Sequence, residues 1–162
     1  MSKKVAISYQ EIFKSLKLYF ENKDIELEYL ETEILKLNYN NYDLAIFYDE
    51  YDFTQKTNSV INIQPSLLPA FPNKNAIIQA FNNGVKVSGV TIHSKDKIIA
   101  QYPVLIGIDT HIDEFINEML EVEKKLVPAV IDSLLNDRIF DFRDLFSHSC
   151  HKNGCSGCNG CH

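Results

Sequence analysis

The chain has 162 residues, 45% of them hydrophobic, and a formal net charge of −6. That length suits one domain with a core of ordinary size. The acidic balance argues against a nucleic-acid partner or an anionic membrane surface, and two arginines, Arg138 and Arg143, are few for a protein that clamps phosphate.

Two distributions organise the rest. No glycine precedes Gly84, and every cysteine lies beyond residue 149. At the N-terminus Lys3 and Lys4 precede only a short apolar run. That is neither a secretory signal nor a membrane span, so a cytoplasmic protein without a membrane partner is expected.

Residues 4–8 read as a first buried strand. Ser8 is placed to cap the helix that follows, with Glu11 closing a capping box. Ile12, Phe13, Leu16 and Phe20 give that helix its buried stripe. Ile25, Leu27 and Tyr29 alternate with Glu26 and Glu28, the pattern of a half-buried strand over 24–30. Residues 31–37 are ambiguous and admit a helical turn, and 38–41 read as loop. Residues 43–48 are a second buried strand. After it, Asp49, Glu50 and Asp52 cluster around Tyr51 and Phe53. Carboxylates in such a cluster do acid–base work when one is buried, and a solvated turn is the simpler reading.

Val60, Ile61 and Ile63 form the apolar run of another strand. Pro65, Pro69 and Pro72 then forbid both strand and helix, because each lacks a backbone donor and fixes φ. A helix starts only after Asn75, with Ala76, Ile77, Ala80 and Phe81 at helical spacing and Gly84 at its C-terminal stop. Asn62, Gln64 and Ser66 therefore stand where a strand leaves the sheet, the place where open α/β sheets bind ligands. Residues 86–93 and 97–105 read as a tight antiparallel hairpin, with Pro103 at an edge or a bulge. A long helix over 112–135 follows, and Pro128 is expected to kink or split it. Ile139, Phe140, Phe142, Leu145 and Phe146 form a last apolar cluster, a short helix or strand that docks on the domain.

From Ser147 the composition changes abruptly. Residues 147–162 contain no large apolar side chain and read as a flexible Cys/His-rich tail after a domain of residues 1–146. Cys150, Cys155, Cys158 and Cys161 stand at x4-x2-x2 spacing with His151 among them, and His148 and His162 nearby. Dense cysteines in a cytosolic chain point to metal or redox chemistry. Zinc or another soft metal ion, an iron–sulfur cluster and a thiol-redox tail all suit the spacing.

The run from Asn62 through Gln64, Pro65, Ser66, Leu67, Leu68, Pro69, Ala70 and Phe71 to Pro72 resembles the signature of the glycinamide ribonucleotide formyltransferase family. The similarity continues in the blocks 84–93, 98–101 and 122–131, and spans roughly residues 43–135. It implies a three-layer, Rossmann-like α/β fold with a mainly parallel sheet and an antiparallel hairpin near its end. It also implies formyl transfer from formyl-tetrahydrofolate to an amine, with a small-molecule substrate. Asn62 matches the family's catalytic Asn. The catalytic His of the family falls on Gln64, which donates a hydrogen bond but cannot titrate. The loop that carries the family's catalytic Asp is shortened, leaving Asp96 as the nearest acid. Ser66, Leu67 and His93 match substrate-binding positions. The family's glycine-rich phosphate turn after the first strand is here Tyr9-Gln10-Glu11-Ile12, bulky and acidic. These departures lead us to expect a weak, repurposed or inactive formyltransferase. The alternative is a metal- or iron–sulfur-binding protein that uses the tail on a non-catalytic scaffold.

Overall fold

The computed structural model describes residues 1–49, 59–95, 97–138 and 141–146. Alternation of apolar side chains dictates its layers. Six strands form one sheet: β1 (Lys3–Ile7), β2 (Ile25–Tyr29), β3 (Leu44–Tyr48), β4 (Val60–Gln64), β5 (Val87–His93) and β6 (Ile98–Leu105). The order is β2-β1-β3-β4-β5-β6. The first four strands pair in parallel, and β5 and β6 add antiparallel. The expected fold class is therefore present, with its antiparallel pair at one edge.

Successive side chains of a strand point to opposite faces, and two clusters of buried residues follow from that. Val5, Ile7, Ile46, Ile61, Ile63, Val90 and Ile92 join the larger cluster. It is covered by α1 (Gln10–Phe20) and α4 (Ile112–Asn136), which supply Ile12, Leu16, Phe115, Met119 and Leu126. Ala6, Ala45, Phe47 and Val60 point the other way and meet Leu35 of α2 (Thr32–Asn38). The ambiguous stretch after β2 is thus a true helix, and a 3₁₀ turn (Tyr39–Asn41) replaces the loop expected after it. The last two helices are α3 (Ala76–Asn82) and α5 (Phe142–Phe146). The Phe146 ring of α5 stacks on Tyr102 of β6 at 3.5 Å between centroids.

The Ser8 cap does not form and Pro128 does not split its helix, for a common reason. The Ser8 N–H still donates to the Ile46 carbonyl at 3.0 Å, as a strand residue does. Tyr9 is the N-cap residue, with no side-chain cap bond, and is itself buried. A cap is worth about 1 kcal/mol, less than burial of an aromatic ring. Pro128 does not split α4, which runs unbroken for 25 residues. Residues 126–131 of that helix are all buried. Their packing offsets the roughly 3 kcal/mol that an internal proline costs. Among the described residues, no helix is long and apolar enough to cross a membrane.

Candidate functional site

Asn62 and Gln64 lie two apart on β4, so they share a face. They pair with His93 and Thr91 of antiparallel β5, which lie on that face too, and Thr91 in turn pairs with Gln101 of β6. The result is a row of polar side chains beside the α2-covered part of the sheet. The proline-rich segment after β4 lies over this row, and hydrogen bonds tie it down.

Gln64 is buried, and its Nε2 donates to the carbonyls of Phe71 at 3.2 Å and Asn73 at 3.4 Å. Ser66 is fully buried and donates to the same Phe71 carbonyl at 3.0 Å. The Thr91 hydroxyl donates to the Ser66 carbonyl at 2.7 Å and accepts from the Leu68 N–H and Gln101 Nε2, each at 3.1 Å. Gln101 Nε2 also donates to the Leu68 carbonyl at 3.1 Å. Leu67 packs directly over Gly89 of β5, where a β-carbon would stand 2.7 Å from Leu67 Cδ2. Glycine there is what allows the segment to lie flat on the sheet.

Next along the row, Asn62 is fully buried and its Nδ2 lies 3.1 Å from His93 Nε2. An amide nitrogen only donates, so Nε2 accepts. The ring proton is then on Nδ1, which donates to the Ser94 carbonyl at 3.0 Å. Burial pushes the His93 pKa below its ordinary value, while the Ser94 bond works in the opposite direction. Both ring nitrogens of the half-buried imidazole are engaged in its neutral form.

A second polar cluster lies at the carboxyl ends of β1 and β3. Ile7 pairs with Ile46. Two residues further on, Tyr9 comes opposite Tyr48, and their rings stack at 3.7 Å, 11° from parallel. Tyr9 donates to Glu123 Oε2 of α4 at 2.8 Å. Glu123 is 1% exposed, and its Oε1 has no hydrogen-bond partner among the described residues. Burial pushes its pKa up to about 8, with the charges of Glu11 and Asp49 adding to the rise and the Tyr9 bond opposing it. Burial likewise raises both tyrosines, and the Glu123 charge adds to each.

Asp49 does not sit in a simple solvated turn. Its N–H donates to the Ile63 carbonyl at 2.9 Å, and its Oδ2 accepts from the Asn75 N–H at 3.0 Å, just before α3. Beside it a cleft of about 210 Å³ is lined by Tyr48, Pro65, Asn75, Ala76 and Ile116, among others.

Asn62, Gln64, Ser66, Leu67 and His93 are thus brought onto one face. Asp96 lies outside the described residues, as do Cys150, His151, Cys155, Cys158 and Cys161. Among the described residues no His/Cys/Asp/Glu group could hold a metal ion. Sequence reasoning missed Thr91 and Gln101, and it missed Glu123. The signal for the last was present: Phe115, Met119, Glu123, Leu126 and Val130 form one helical stripe, and a carboxylate interrupts it.

A family model described as formyl transferase matches residues 51–131, half of the chain. The chain belongs to the formyl transferase family. Phosphoribosylglycinamide formyltransferase of Bacillus subtilis is 43% identical over 82 residues, covering 47% of this chain and 42% of that protein. Formyltetrahydrofolate deformylase of Haemophilus influenzae is 33% identical over 93 residues, covering 54% and 34% respectively. These matches span well under half of the curated relatives' length. The crystal structure of phosphoribosylglycinamide formyltransferase from Bacillus halodurans aligns with a TM-score of 0.62 and 25% identity, covering 82% of this chain and 95% of that one. The Symbiobacterium toebii glycinamide ribonucleotide transformylase structure aligns at 0.65 with 18% identity over 88% and 92%, a likeness of fold alone. For a formyl transferase, the polar row that begins at Asn62 is the natural candidate site, because the family match runs through β4, β5 and β6.

Proposed function

We propose that this formyl transferase family member has a weakened, repurposed site, with slow transfer from a formyl-tetrahydrofolate-type donor to an amine or to water. Such a donor supplies the formyl carbon. The acceptor forms a bond to that carbon, the donor's nitrogen–carbon bond breaks, and the proton lost by the acceptor is balanced by one gained by the donor's nitrogen. The residues needed are a hydrogen-bond donor for the developing oxyanion and a group that moves the proton. Asn62 fits the first duty, since its buried amide group is a hydrogen-bond donor that cannot titrate. The observation that carries the reading concerns the second duty. Gln64 cannot titrate and is bonded to loop carbonyls, while His93 is held neutral with both nitrogens engaged.

The test is single-turnover and steady-state transfer from formyl-tetrahydrofolate to glycinamide ribonucleotide, unphosphorylated amines and water. The expected turnover is at least 100-fold below the typical enzyme median of roughly 10 s⁻¹, and Asn62→Ala abolishes what remains. Turnover within tenfold of that median, or an Asn62→Ala variant as active as the parent, refutes the reading.

A second reading rests on the tail sequence. The spacing of Cys150, Cys155, Cys158 and Cys161, with His151 among them, favours one metal ion or iron–sulfur cluster per chain, bound with coupled ordering of residues 147–162. Elemental analysis of anaerobically purified full-length protein checks it. A protein that carries no zinc or iron, and takes up neither, rules it out.

A further inference from the structure

The sheet order places β1 between β2 and β3. The chain leaves β1 toward one edge and returns to its other side at β3, so the crevice between their carboxyl ends is the topological switch point. Open α/β sheets take ligands there, and the helix after β1 presents its N–H groups to an anion. In this chain Tyr9 fills that crevice. It is the N-cap residue of α1, it is 8% exposed, and it is stacked on Tyr48 and hydrogen-bonded to Glu123 beneath. The charged groups that act on Glu123 there are Glu11, in the first turn of α1, and Asp49, after β3. Both are acidic. A phosphate would meet a phenol ring in its place and carboxylates around it.

We propose that Tyr9 is a specificity-determining plug, an internal stand-in for a ligand that excludes phosphorylated molecules from the β1–β3 crevice and restricts this protein to acceptors without a phosphate. The acceptor part rests on the formyl-transfer reading above, and the plug does not. The phenol gives Glu123 the hydroxyl that a ligand would otherwise bring, and gives Tyr48 the flat face it stacks on. Among the described residues Glu123 Oε1 remains buried without a partner, as expected where one hydroxyl replaces a larger ligand. Any acceptor is left with the row at Asn62 and the neighbouring cleft beside Asp49.

Binding measurements on the full chain test this. Calorimetry and amide-shift mapping with ribose 5-phosphate and with inorganic phosphate are expected to show no binding to the wild type or to Tyr9→Phe, which keeps the ring. Tyr9→Ala empties the crevice. Its melting temperature is expected to fall by about 10 °C, and p-cresol should bind and recover part of that loss. The same p-cresol leaves the wild type and Tyr9→Phe unshifted. Ribose 5-phosphate binding to wild type with shifts at Tyr9, Gln10 and Asp49 overturns the plug. So does a folded Tyr9→Ala protein that takes up no p-cresol. If Tyr9→Ala does not fold, the phosphate titrations of wild type and Tyr9→Phe decide: binding overturns, and none supports. Formyl transfer enters none of these readouts. Fast transfer to an unphosphorylated amine would sink the weak-activity reading and leave the plug standing.

Discussion

The polar row on β4–β6 and the tyrosine cluster between β1 and β3 solve burial in opposite ways. In the row, hydrogen bonds from Gln64, Ser66, Thr91 and Gln101 converge on backbone groups of a single segment. In the cluster, a buried carboxyl keeps one oxygen without a partner among the described residues and is pushed toward its neutral form. A buried polar group is stable when paired and costly when not. The row is therefore a frame that ties the proline-rich segment to the sheet beside Asn62, and the cluster is a position held shut by one phenol.

The largest test of that contrast is Gly89→Ala. A methyl group there would collide with the Tyr102 carbonyl across the β5–β6 pair and stand 2.7 Å from Leu67 Cδ2. A strand carbonyl cannot step aside without breaking its ladder. The expected loss is about 4 kcal/mol or more, read by urea unfolding, with the Leu67 segment exposed to proteolysis in the folded remainder. A loss below 1 kcal/mol would mean that the segment is not held on the sheet as described.

Glu123→Gln breaks the comparison from the other side, because here removal of a charge is expected to stabilise. The folded pKa of Glu123, about 8, lies above its ordinary value of 4.5. The native state therefore binds the extra proton between those values, and stability falls as pH rises through that window, levelling above about pH 8. The total effect is of the order of a few kcal/mol. Glu123→Gln keeps an acceptor for Tyr9 and cannot ionise. Its unfolding free energy should exceed that of wild type at pH 8 and lose this part of the pH slope. Parallel pH profiles for the two proteins would show that Glu123 is not the buried acid.

Much of this was legible before the structure. The strands show as period-2 and apolar runs, the prolines 65, 69 and 72 mark the segment that covers the row, and Asn62, Gln64 and Ser66 declare the strand end. Other features were hidden because they depend on register. Thr91 and Gln101 read as ordinary strand residues until pairing sets them opposite Gln64 and each other. Tyr9 read as bulk at a turn, since only the Ile7–Ile46 register brings it onto Tyr48. The Ser8 cap failed because a cap motif is local and the competing aromatic burial is not.

Thr91→Val sharpens the account of the frame. The change keeps shape and removes the hydroxyl that joins the Ser66 carbonyl, the Leu68 N–H and Gln101. The Ser66 carbonyl and Leu68 N–H lose a buried partner, and each such loss costs about 1–3 kcal/mol. Gln101 still holds the Leu68 carbonyl and keeps the segment attached, so a total at the low end of that sum, about 2–3 kcal/mol, is expected. Amide exchange should quicken at Leu68 more than on β1 or β3, and equal quickening everywhere would contradict a frame confined to the row.

The smallest effect concerns Ser66, and its interest is in coupling. Ser66 Oγ and Gln64 Nε2 donate to the same Phe71 carbonyl, which has two lone pairs. Ser66→Ala alone leaves that carbonyl paired with Gln64, so the loss should be only about 1 kcal/mol. Gln64→Ala alone leaves Ser66 on the Phe71 carbonyl but strips Asn73 of its side-chain donor, for about 2 kcal/mol. With both removed, the Phe71 carbonyl loses both side-chain donors, so the double variant should lose about 1 kcal/mol more than the sum of the single losses. Urea unfolding of the four proteins measures this directly. Strict additivity would show that the two side chains do not share the carbonyl, and the segment would then need some other reason to lie over Thr91 and Gly89.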